Sequence, residues 1–370
     1  MSYRSPFVDL PTHWQNLRDE LLPVIEDVLG RGQVIMRDEL ARFEEEIAAF
    51  CGTRFAIGLN SCTDGMFLAL KAAGVGDGHE VITVGHTFVA TIAAIVHNGA
   101  RPVLVDVNLD DHLMDVGALE RALTPRTKAI IPVHLNGRIC DMDRLVSLAD
   151  EHGLVIVEDA AQALGATYRG SKAGSFGAAG CFSLYPMKLL GAYGDGGALV
   201  TDDEELYKRI RMYRDHGQNR TTGEVWDYGF NSRLDNVQAA ILSVKLRHLP
   251  EWLERRRELA ARYKQGLSEL PEIVLPLGIG EDAERYDVFQ NFVIRAPERD
   301  SLAKHLEENG VETLISWPVP THHHSNLGLS QFDLPNTEEL SRSVLSLPMN
   351  AEVTDEQVDY TVSQIKSFYR

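Results

Sequence analysis

The sequence is poor in cysteine, short of positive charge and without long apolar runs. Its four cysteines are Cys51, Cys62, Cys140 and Cys181. No two of them form a C-x-x-C pair, so their spacing indicates neither a disulfide framework nor a zinc site. The chain has 36 lysines and arginines against 54 aspartates and glutamates, which gives a formal net charge of −18. This excess of negative charge opposes non-specific binding to nucleic acid or to anionic lipid.

The apolar runs are too short for a membrane protein. The longest uncharged apolar stretch, VATIAAIV at 89–96, is far below the length that crosses a bilayer. The first residues, MSYRSPFVDLPTHW, lack the apolar segment of a signal peptide. We therefore expect a cytoplasmic protein. Because 370 residues exceed the size at which one core usually stops growing, two packed domains are also expected.

Short β-rich segments alternate with helical segments between residues 55 and 203. This order predicts an α/β fold with a mostly parallel sheet. The last two strands are joined by a glycine-rich loop and no helix, so we expect the pattern to turn antiparallel there. The predicted strands are FAIGL (55–59), EVITV (80–84), RPVLVDV (101–107), KAIIPVHL (128–135), LVIVEDA (154–160), GCFSLYP (180–186) and GALVTD (197–202).

The pattern becomes mostly helical after residue 203. The long helical stretch that starts near residue 233 contains Pro250, which predicts two helices or one kinked helix. A smaller unit follows, with a strand at 291–296 and helices near 300–309, 336–346 and 354–369. We therefore predict a large α/β domain over residues 1–250, including the helical N-terminal segment, and a small α+β domain over residues 251–370.

Polar residues follow four of the predicted strands, at the edge where a parallel sheet binds ligands. Residues 60–65 (NSCTDG) open a helix and could bind a phosphate or merely cap that helix. Residues 158–162 (EDAAQ) place a carboxylate at the end of an apolar strand. This carboxylate is either a functional acid or part of a structural ion pair. Ser183 and Lys188 flank a strand end, and residues 86–88 (HTF) offer a ring that could stack on a ligand or pack in the core.

Lys188 suggests one chemical function that these four groups of residues could serve together. A lysine in apolar surroundings loses stability in its charged form, so its pKa falls and its amine can attack a carbonyl. A phosphate site, an acid, a stacking ring and such a lysine are the parts that bind pyridoxal 5′-phosphate. The following GAYGDGG leads into a strand and opens no helix, so it lacks the context of a dinucleotide-binding motif.

The sequence resembles the DegT/DnrJ/StrS family of pyridoxal-phosphate-dependent nucleotide-sugar aminotransferases. The resemblance extends from PFVDL near the start to SLPMNAEVTDEQV near the end. It implies the fold-type-I aminotransferase architecture, with a mostly parallel seven-stranded sheet flanked by helices. The motifs that carry it are NSCTDGMFLAL, DGHEVITVGHTFVAT, TKAIIPVHLNG, VIVEDAAQALGA, FSLYPMKLLGAYGDGGALVT and GFNSRLDNVQAAILSVKL.

The resemblance implies a role for each candidate residue. Lys188 would form the aldimine with the cofactor and move the proton between substrate and cofactor carbons. Asp159 would pair with the pyridine nitrogen, while Gln162 would contact the ring hydroxyl. The ring would stack on Phe88, and the phosphate would be bound by Cys62, Thr63, Ser183 and Asn231, the last from a second subunit. A homodimer with shared active sites is therefore expected.

The implied reaction moves an amino group, probably from glutamate, through pyridoxamine phosphate to a keto group of a dTDP-, UDP- or GDP-linked deoxyhexose. By the same resemblance, the segment PFVDL favours amination at position 3 of the sugar. One alternative is a sugar dehydratase of the same family, in which histidine replaces the lysine; Lys188 argues against it. Another is a non-enzymatic, cofactor-binding regulatory protein. DNA binding would need a basic face or a helix-turn-helix pattern, and neither is found.

Some residues depart from the family pattern. Cys62 stands where glycine is usual, which leaves phosphate binding by backbone groups intact. Asn136 replaces a common tyrosine, and Gln290 with Asn291 falls where histidine is often seen, both at expected substrate contacts. The run at 322–324 (HHH) is expected to line the substrate cleft or a solvated loop. It is not expected to bind metal, because successive loop side chains do not readily converge.

Overall fold

The computed structural model describes residues 3–280 and 282–370, and there the elements follow the predicted order. The helices are α1 (Leu10–Arg31), α2 (Asp38–Cys51), α3 (Cys62–Ala72), α4 (Val89–His97), α5 (Val116–Ala122), α6 (Met142–His152), α7 (Glu204–Tyr213), α8 (Asn236–Leu267), α9 (Arg299–Glu308), α10 (Pro335–Ser343) and α11 (Asp355–Tyr369). The strands are β1 (Phe55–Leu59), β2 (Glu80–Val84), β3 (Arg101–Val105), β4 (Thr127–Ile130), β5 (Val155–Asp159), β6 (Thr167–Tyr168), β7 (Ser171–Lys172), β8 (Ala179–Ser183), β9 (Gly197–Thr201), β10 (Arg285–Tyr286), β11 (Phe292–Arg295) and β12 (Val344–Leu347).

The seven predicted strands form one sheet in the order β1-β9-β8-β5-β4-β2-β3. The pairs among β3, β2, β4, β5 and β8 are parallel, whereas β8 with β9 and β9 with β1 are antiparallel. The antiparallel turn lies between β8 and β9, as the glycine-rich connection predicted. The α/β prediction with a mostly parallel sheet is confirmed.

Both faces of this sheet are buried, because helices cover each of them. Successive residues of one strand belong to different cores: Ile156 packs with α2, α6 and α8, while Val157 packs with α3, α4 and α7. Strands buried on both faces read as continuous apolar runs, which is why these segments stood out in the sequence. The arrangement leaves the carboxyl ends of the parallel strands free to build a site.

The C-terminal unit has its own core, built around the antiparallel pair of β11 and β12. Helix α8 contributes to that core through Leu259 and Tyr263, and to the main core through Leu242 and Leu249. Pro250 lies inside this one helix of 32 residues, so the expected break into two helices is not found. The expected boundary at residue 250 falls within α8 and stays a prediction.

The cysteines and the helices can be examined directly in the structure. Cys51, Cys62, Cys140 and Cys181 are all free and buried. Among the helices of residues 3–280 and 282–370, none combines the length and the apolar character needed to cross a bilayer.

Candidate active site

A cavity of about 650 Å³ opens at the carboxyl edge of the sheet, and the predicted site residues meet there. It is lined by residues that follow β1, β2, β5 and β8, which are distant in sequence. Of the predicted residues, Cys62, Thr63, Phe88, Asp159, Gln162, Ser183 and Lys188 line the cavity. Asn231 does not: it is exposed and lies within the loop between α7 and α8.

Lys188 lies in the turn that follows β8, where its backbone N–H donates to the carbonyl of Tyr185 at 2.8 Å. Burial lowers the pKa of its amine, although Asp159 and Cys62 oppose the shift. A lowered pKa increases the fraction of neutral amine, which is the form that attacks a carbonyl or takes up a proton. The structure thus gives Lys188 the apolar environment expected from the sequence.

Asp159 ends β5 and is 5% exposed. Burial raises the pKa of its carboxyl group, while hydrogen bonds oppose the shift. Thr91 donates to Oδ2 at 2.7 Å, and the N–H of Ala161 donates to Oδ1 at 3.2 Å. A carboxylate so oriented at a cavity wall can stabilise a cationic ring nitrogen. Thr91, one turn into α4 in the HTFVAT motif, is a contact that the sequence analysis missed.

Glu158, the neighbouring acid, has a structural task. It is fully buried and accepts hydrogen bonds from the backbone N–H groups of Gly174, Phe176 and Gly177 at 2.7–2.8 Å. The Nε2 atom of His134 lies 2.9 Å from Oε2 of Glu158. Because successive side chains of a strand point to opposite faces, only one of the two acids can reach the cavity. Asp159 is that acid.

The start of α3 lines the cavity and offers groups that can bind an anion. Ser61 caps the helix by accepting from the N–H of Asp64 at 3.1 Å, while Cys62 and Thr63 form its first turn. N–H groups in a first turn have no partner within the helix and attract anions. Burial raises the pKa of the Cys62 thiol well above its usual value, so the thiol stays neutral beside an anion. Ser183 adds a hydroxyl at the end of β8.

Gln162 and Phe88 complete the cavity wall around the expected ring. The backbone N–H of Asn136 donates to Oε1 of Gln162 at 2.7 Å, which orients the amide and leaves its NH₂ group for a ligand. Phe88 is the N-cap residue directly before α4 and is 60% exposed, so its face is available for stacking. Asn136 therefore acts on the cavity through its backbone. Its side chain accepts from Asn291 at 3.3 Å.

These groups fit pyridoxal 5′-phosphate, the cofactor expected from the sequence. An anion site at a helix start lies at one part of the cavity, and a buried carboxylate lies at another. A lysine whose amine has a lowered pKa lies on the same cavity wall. The cofactor carries the complementary groups: a phosphate, a basic ring nitrogen and an aldehyde.

The histidine run differs from its expectation. His322 is 1% exposed, and neither it nor His323 lines the cavity. Their Nε2 atoms lie 3.4 Å and 3.2 Å from Oε1 of Glu338. The expectation that these side chains do not converge is thus wrong for two of them, because the loop folds against α10. The absence of a metal site stays a prediction.

The comparisons with known proteins agree with this geometry. The sequence pattern of the DegT/DnrJ/EryC1/StrS aminotransferase family matches residues 15–366. The chain is 43% identical to the "dTDP-3-amino-3,4,6-trideoxy-alpha-D-glucose transaminase" of Streptomyces venezuelae, over 99% of this chain and 96% of the relative. It is 42% identical to the "Pleiotropic regulatory protein" of Geobacillus stearothermophilus, over 99% of this chain and 98% of the relative.

A solved structure gives the same result for the fold. The crystal structure of S. venezuelae DesV in complex with a ketimine intermediate superimposes with a TM-score of 0.95 at 42% identity, covering 99% of both chains. The family pattern and the full-length relatives cover the elements that build the cavity. The chain therefore belongs to the DegT/DnrJ/EryC1/StrS aminotransferase family.

Proposed function

We propose that the protein transfers an amino group from glutamate to the keto group at position 3 of a nucleotide-linked deoxy sugar. It is an aminotransferase that uses pyridoxal 5′-phosphate, in keeping with its family. The observation that carries the proposal is Lys188, a lysine with a lowered amine pKa on the same cavity wall as a buried acid. Position 3 is supported by the relative that makes a 3-amino sugar.

The bound cofactor supplies an aldehyde that accepts amino groups and a ring that takes up the electrons of a broken C–H bond. Lys188 would hold the cofactor at its aldehyde carbon, and its amine would move a proton between the substrate carbon and the cofactor carbon. One amine can serve both directions because its lowered pKa increases the fraction of neutral amine. Asp159 would hold the ring nitrogen in its protonated form, because Thr91 and Ala161 fix the carboxylate oxygens.

The remaining residues bind and orient. Cys62, Thr63 and Ser183 would hold the phosphate, Gln162 would donate to the ring hydroxyl and Phe88 would stack on the ring. We propose that Asn231 of the partner subunit completes the phosphate site, since Asn231 does not line the cavity of its own subunit.

The sugar nucleotide is proposed to occupy the outer part of the cavity. Phe7, Tyr185 and Trp317 line it, and Tyr185 is 49% exposed. Aromatic rings at a cavity mouth suit the apolar faces of a deoxy sugar and of a nucleobase. The volume of about 650 Å³ falls within the range of small-molecule sites.

The decisive experiment follows the visible spectrum of the purified, cofactor-loaded protein. Glutamate should convert the absorption band of the Lys188–cofactor complex to that of the amine form, and a 3-keto sugar nucleotide should restore it with an aminated sugar as product. Lys188→Ala should abolish both changes. If glutamate leaves the band unchanged while another amino acid bleaches it, the donor assignment is wrong. A panel of 3-keto and 4-keto sugars decides the position.

A regulatory role is the second candidate, because one relative is called a pleiotropic regulatory protein. That role predicts cofactor binding without amination of any keto sugar in the panel. The same spectral experiment therefore separates the two candidates.

A further inference from the structure

Gln290 makes two hydrogen bonds to the backbone on either side of Lys188. The N–H of Leu189 donates to its Oε1 at 2.9 Å, and its Nε2 donates to the carbonyl of Met187 at 3.0 Å. The side chain is 7% exposed and lines the cavity. Gln290 thus binds the two residues next to Lys188. It was expected to contact substrate, but its amide oxygen and nitrogen are already engaged.

The backbone of Gln290 is fixed as well. Nη1 of Arg256, on α8, donates to the carbonyls of Phe289, Gln290 and Met349 at 3.0–3.2 Å. Gly137 packs so closely that a Cβ atom there would lie 2.9 Å from the N of Gln290. The amide of Gln290 therefore extends from a rigid support, at the start of the C-terminal unit, to the turn that carries Lys188.

The turn that carries Lys188 needs such a support. It leaves the sheet after β8 and returns at β9 through a glycine-rich loop. Within the turn, the N–H of Lys188 donates to Tyr185 and the N–H of Ala192 donates to Leu184, both at 2.8 Å. Lysine has a long flexible side chain, so the place of its amine depends on how firmly its backbone is held. A displacement of 1 Å at a reacting group can cost roughly 100-fold in rate.

We infer that Gln290 is a positioning residue for Lys188: its carboxamide holds the backbone of Met187 and Leu189 so that the Lys188 amine stays aligned for proton transfer. This inference rests on the proposed function and assigns a residue to its proton-transfer step. Gln290 contacts neither the expected phosphate groups nor the ring groups. Its loss should therefore slow proton transfer while leaving cofactor and donor binding in place.

The test compares Gln290→Met with a matched control, Gln238→Met. Gln238 binds the same loop in the same way, since Tyr193 N–H donates to its Oε1 at 2.9 Å and its Nε2 donates to the Tyr193 carbonyl at 3.0 Å. Both substitutions remove two hydrogen bonds from one loop, but only Gln290 flanks Lys188. Gln290→Glu is the second variant, because it keeps an acceptor for Leu189 and loses the donor to Met187.

Three measurements are made on each variant. In the cofactor-free protein, hydrogen exchange at the Leu189 amide should be faster in Gln290→Met and unchanged in Gln238→Met. In the loaded protein, Gln290→Met should lower kcat by about 10- to 100-fold, with the KM for glutamate within about 2-fold of wild type. The pH midpoint of the Lys188–cofactor absorption band should shift in Gln290→Met and not in Gln238→Met. Gln290→Glu should fall between wild type and Gln290→Met.

The outcomes separate the inference from the proposed function. If Leu189 exchange accelerates while kcat and the spectral midpoint stay at wild-type values, Gln290 only stabilises the fold and the inference is overturned. Equal effects of Gln290→Met and Gln238→Met would overturn it too. If wild type does not transaminate, the proposed function fails, and the spectral midpoint still decides whether Gln290 positions Lys188.

Discussion

At the scale of single residues, the two neighbouring acids at the end of β5 divide their tasks. Asp159 faces the cavity, whereas Glu158 holds the loop around Gly174 from the other side of the strand. We expect Asp159→Asn to lower kcat by roughly 10²–10³, because removing a fixed charge beside the reacting system costs about that much. The glutamate half-reaction, followed in a stopped-flow spectrometer, measures this effect.

Glu158→Gln is the matched control for Asp159→Asn. It changes the adjacent carboxylate into a neutral amide. That carboxylate accepts hydrogen bonds from three backbone N–H groups. Hydrogen bonds to charged groups contribute about 1.5–3 kcal/mol each, so we expect a lower melting temperature. The half-reaction rate should stay near that of wild type. A larger loss of rate in Glu158→Gln than in Asp159→Asn would contradict these roles.

Lys245 allows a prediction for the pH dependence of stability. It is 1% exposed, its Nζ donates to the carbonyl of Gly191, and burial lowers its pKa from 10.5 to about 8. Between about pH 8 and 10.5 the unfolded chain therefore binds a proton that the native protein lacks, so the free energy of unfolding rises with pH. The rise from this group is about 3 kcal/mol.

Denaturant unfolding at several pH values measures that rise. In Lys245→Met the contribution should vanish, so the difference in unfolding free energy between wild type and variant should change across this pH window. Lys304→Met, whose side chain is 76% exposed, should leave the rise as in wild type. An unchanged slope in Lys245→Met would show that its native pKa is not lowered.

At the scale of elements, the position of α3 depends on Gly197 at the start of β9. A Cβ atom at Gly197 would lie 2.2 Å from the carbonyl carbon of Ser61 and 2.6 Å from the N of Cys62. Backbone atoms cannot yield to such a contact, so Gly197→Ala must move the first turn of α3. We expect the affinity for pyridoxal 5′-phosphate to fall by about 10-fold or more, as measured by spectral titration of the cofactor-free protein.

Gly180→Ala is the control for Gly197→Ala. Its Cβ atom would lie 2.1 Å from Cα of Gly174, which strains the same sheet away from the start of α3. Both variants should lose stability, and Gly197→Ala should show the larger loss of cofactor affinity. If the two lose affinity equally, the effect comes from general destabilisation of the sheet.

Strands could be predicted from the sequence where burial of both faces of the sheet produces a continuous apolar run. β1 and β2 have the predicted bounds, whereas β3, β4, β5, β8 and β9 end earlier than predicted. Behind β4 the cause is the cavity, because Val133, His134 and Leu135 form part of its wall. Contacts between segments that are distant in sequence could not be predicted, because they produce no local sequence pattern. Gln290 meets the turn of Lys188 from about 100 positions away, and Glu338 meets His322 from another helix. Of the two alternatives that Pro250 raised, two separate helices are not found, because α8 continues through it and packs against both cores.

At the scale of the whole molecule, the loop between α7 and α8, which contains Asn231, exposes apolar side chains. Val225, Trp226 and Tyr228 are 67%, 49% and 93% exposed. Exposed aromatic side chains grouped on one loop are typical of a surface that another protein covers. The proposed homodimer explains this surface and places Asn231 beside the phosphate site of the partner subunit. Each site would then depend on two copies of the chain.

Subunit complementation tests that dependence. Lys188→Ala and Asn231→Ala proteins should each have little activity, because each lacks one part of every site. When the two are unfolded, mixed in equal amounts and refolded, half of the dimers contain one subunit of each kind. In these, one of the two sites combines an intact Lys188 with an intact Asn231 from the partner, so about a quarter of wild-type activity should return. Activity that stays at the level of the separate variants would place Asn231 in its own subunit's site, or outside the sites altogether.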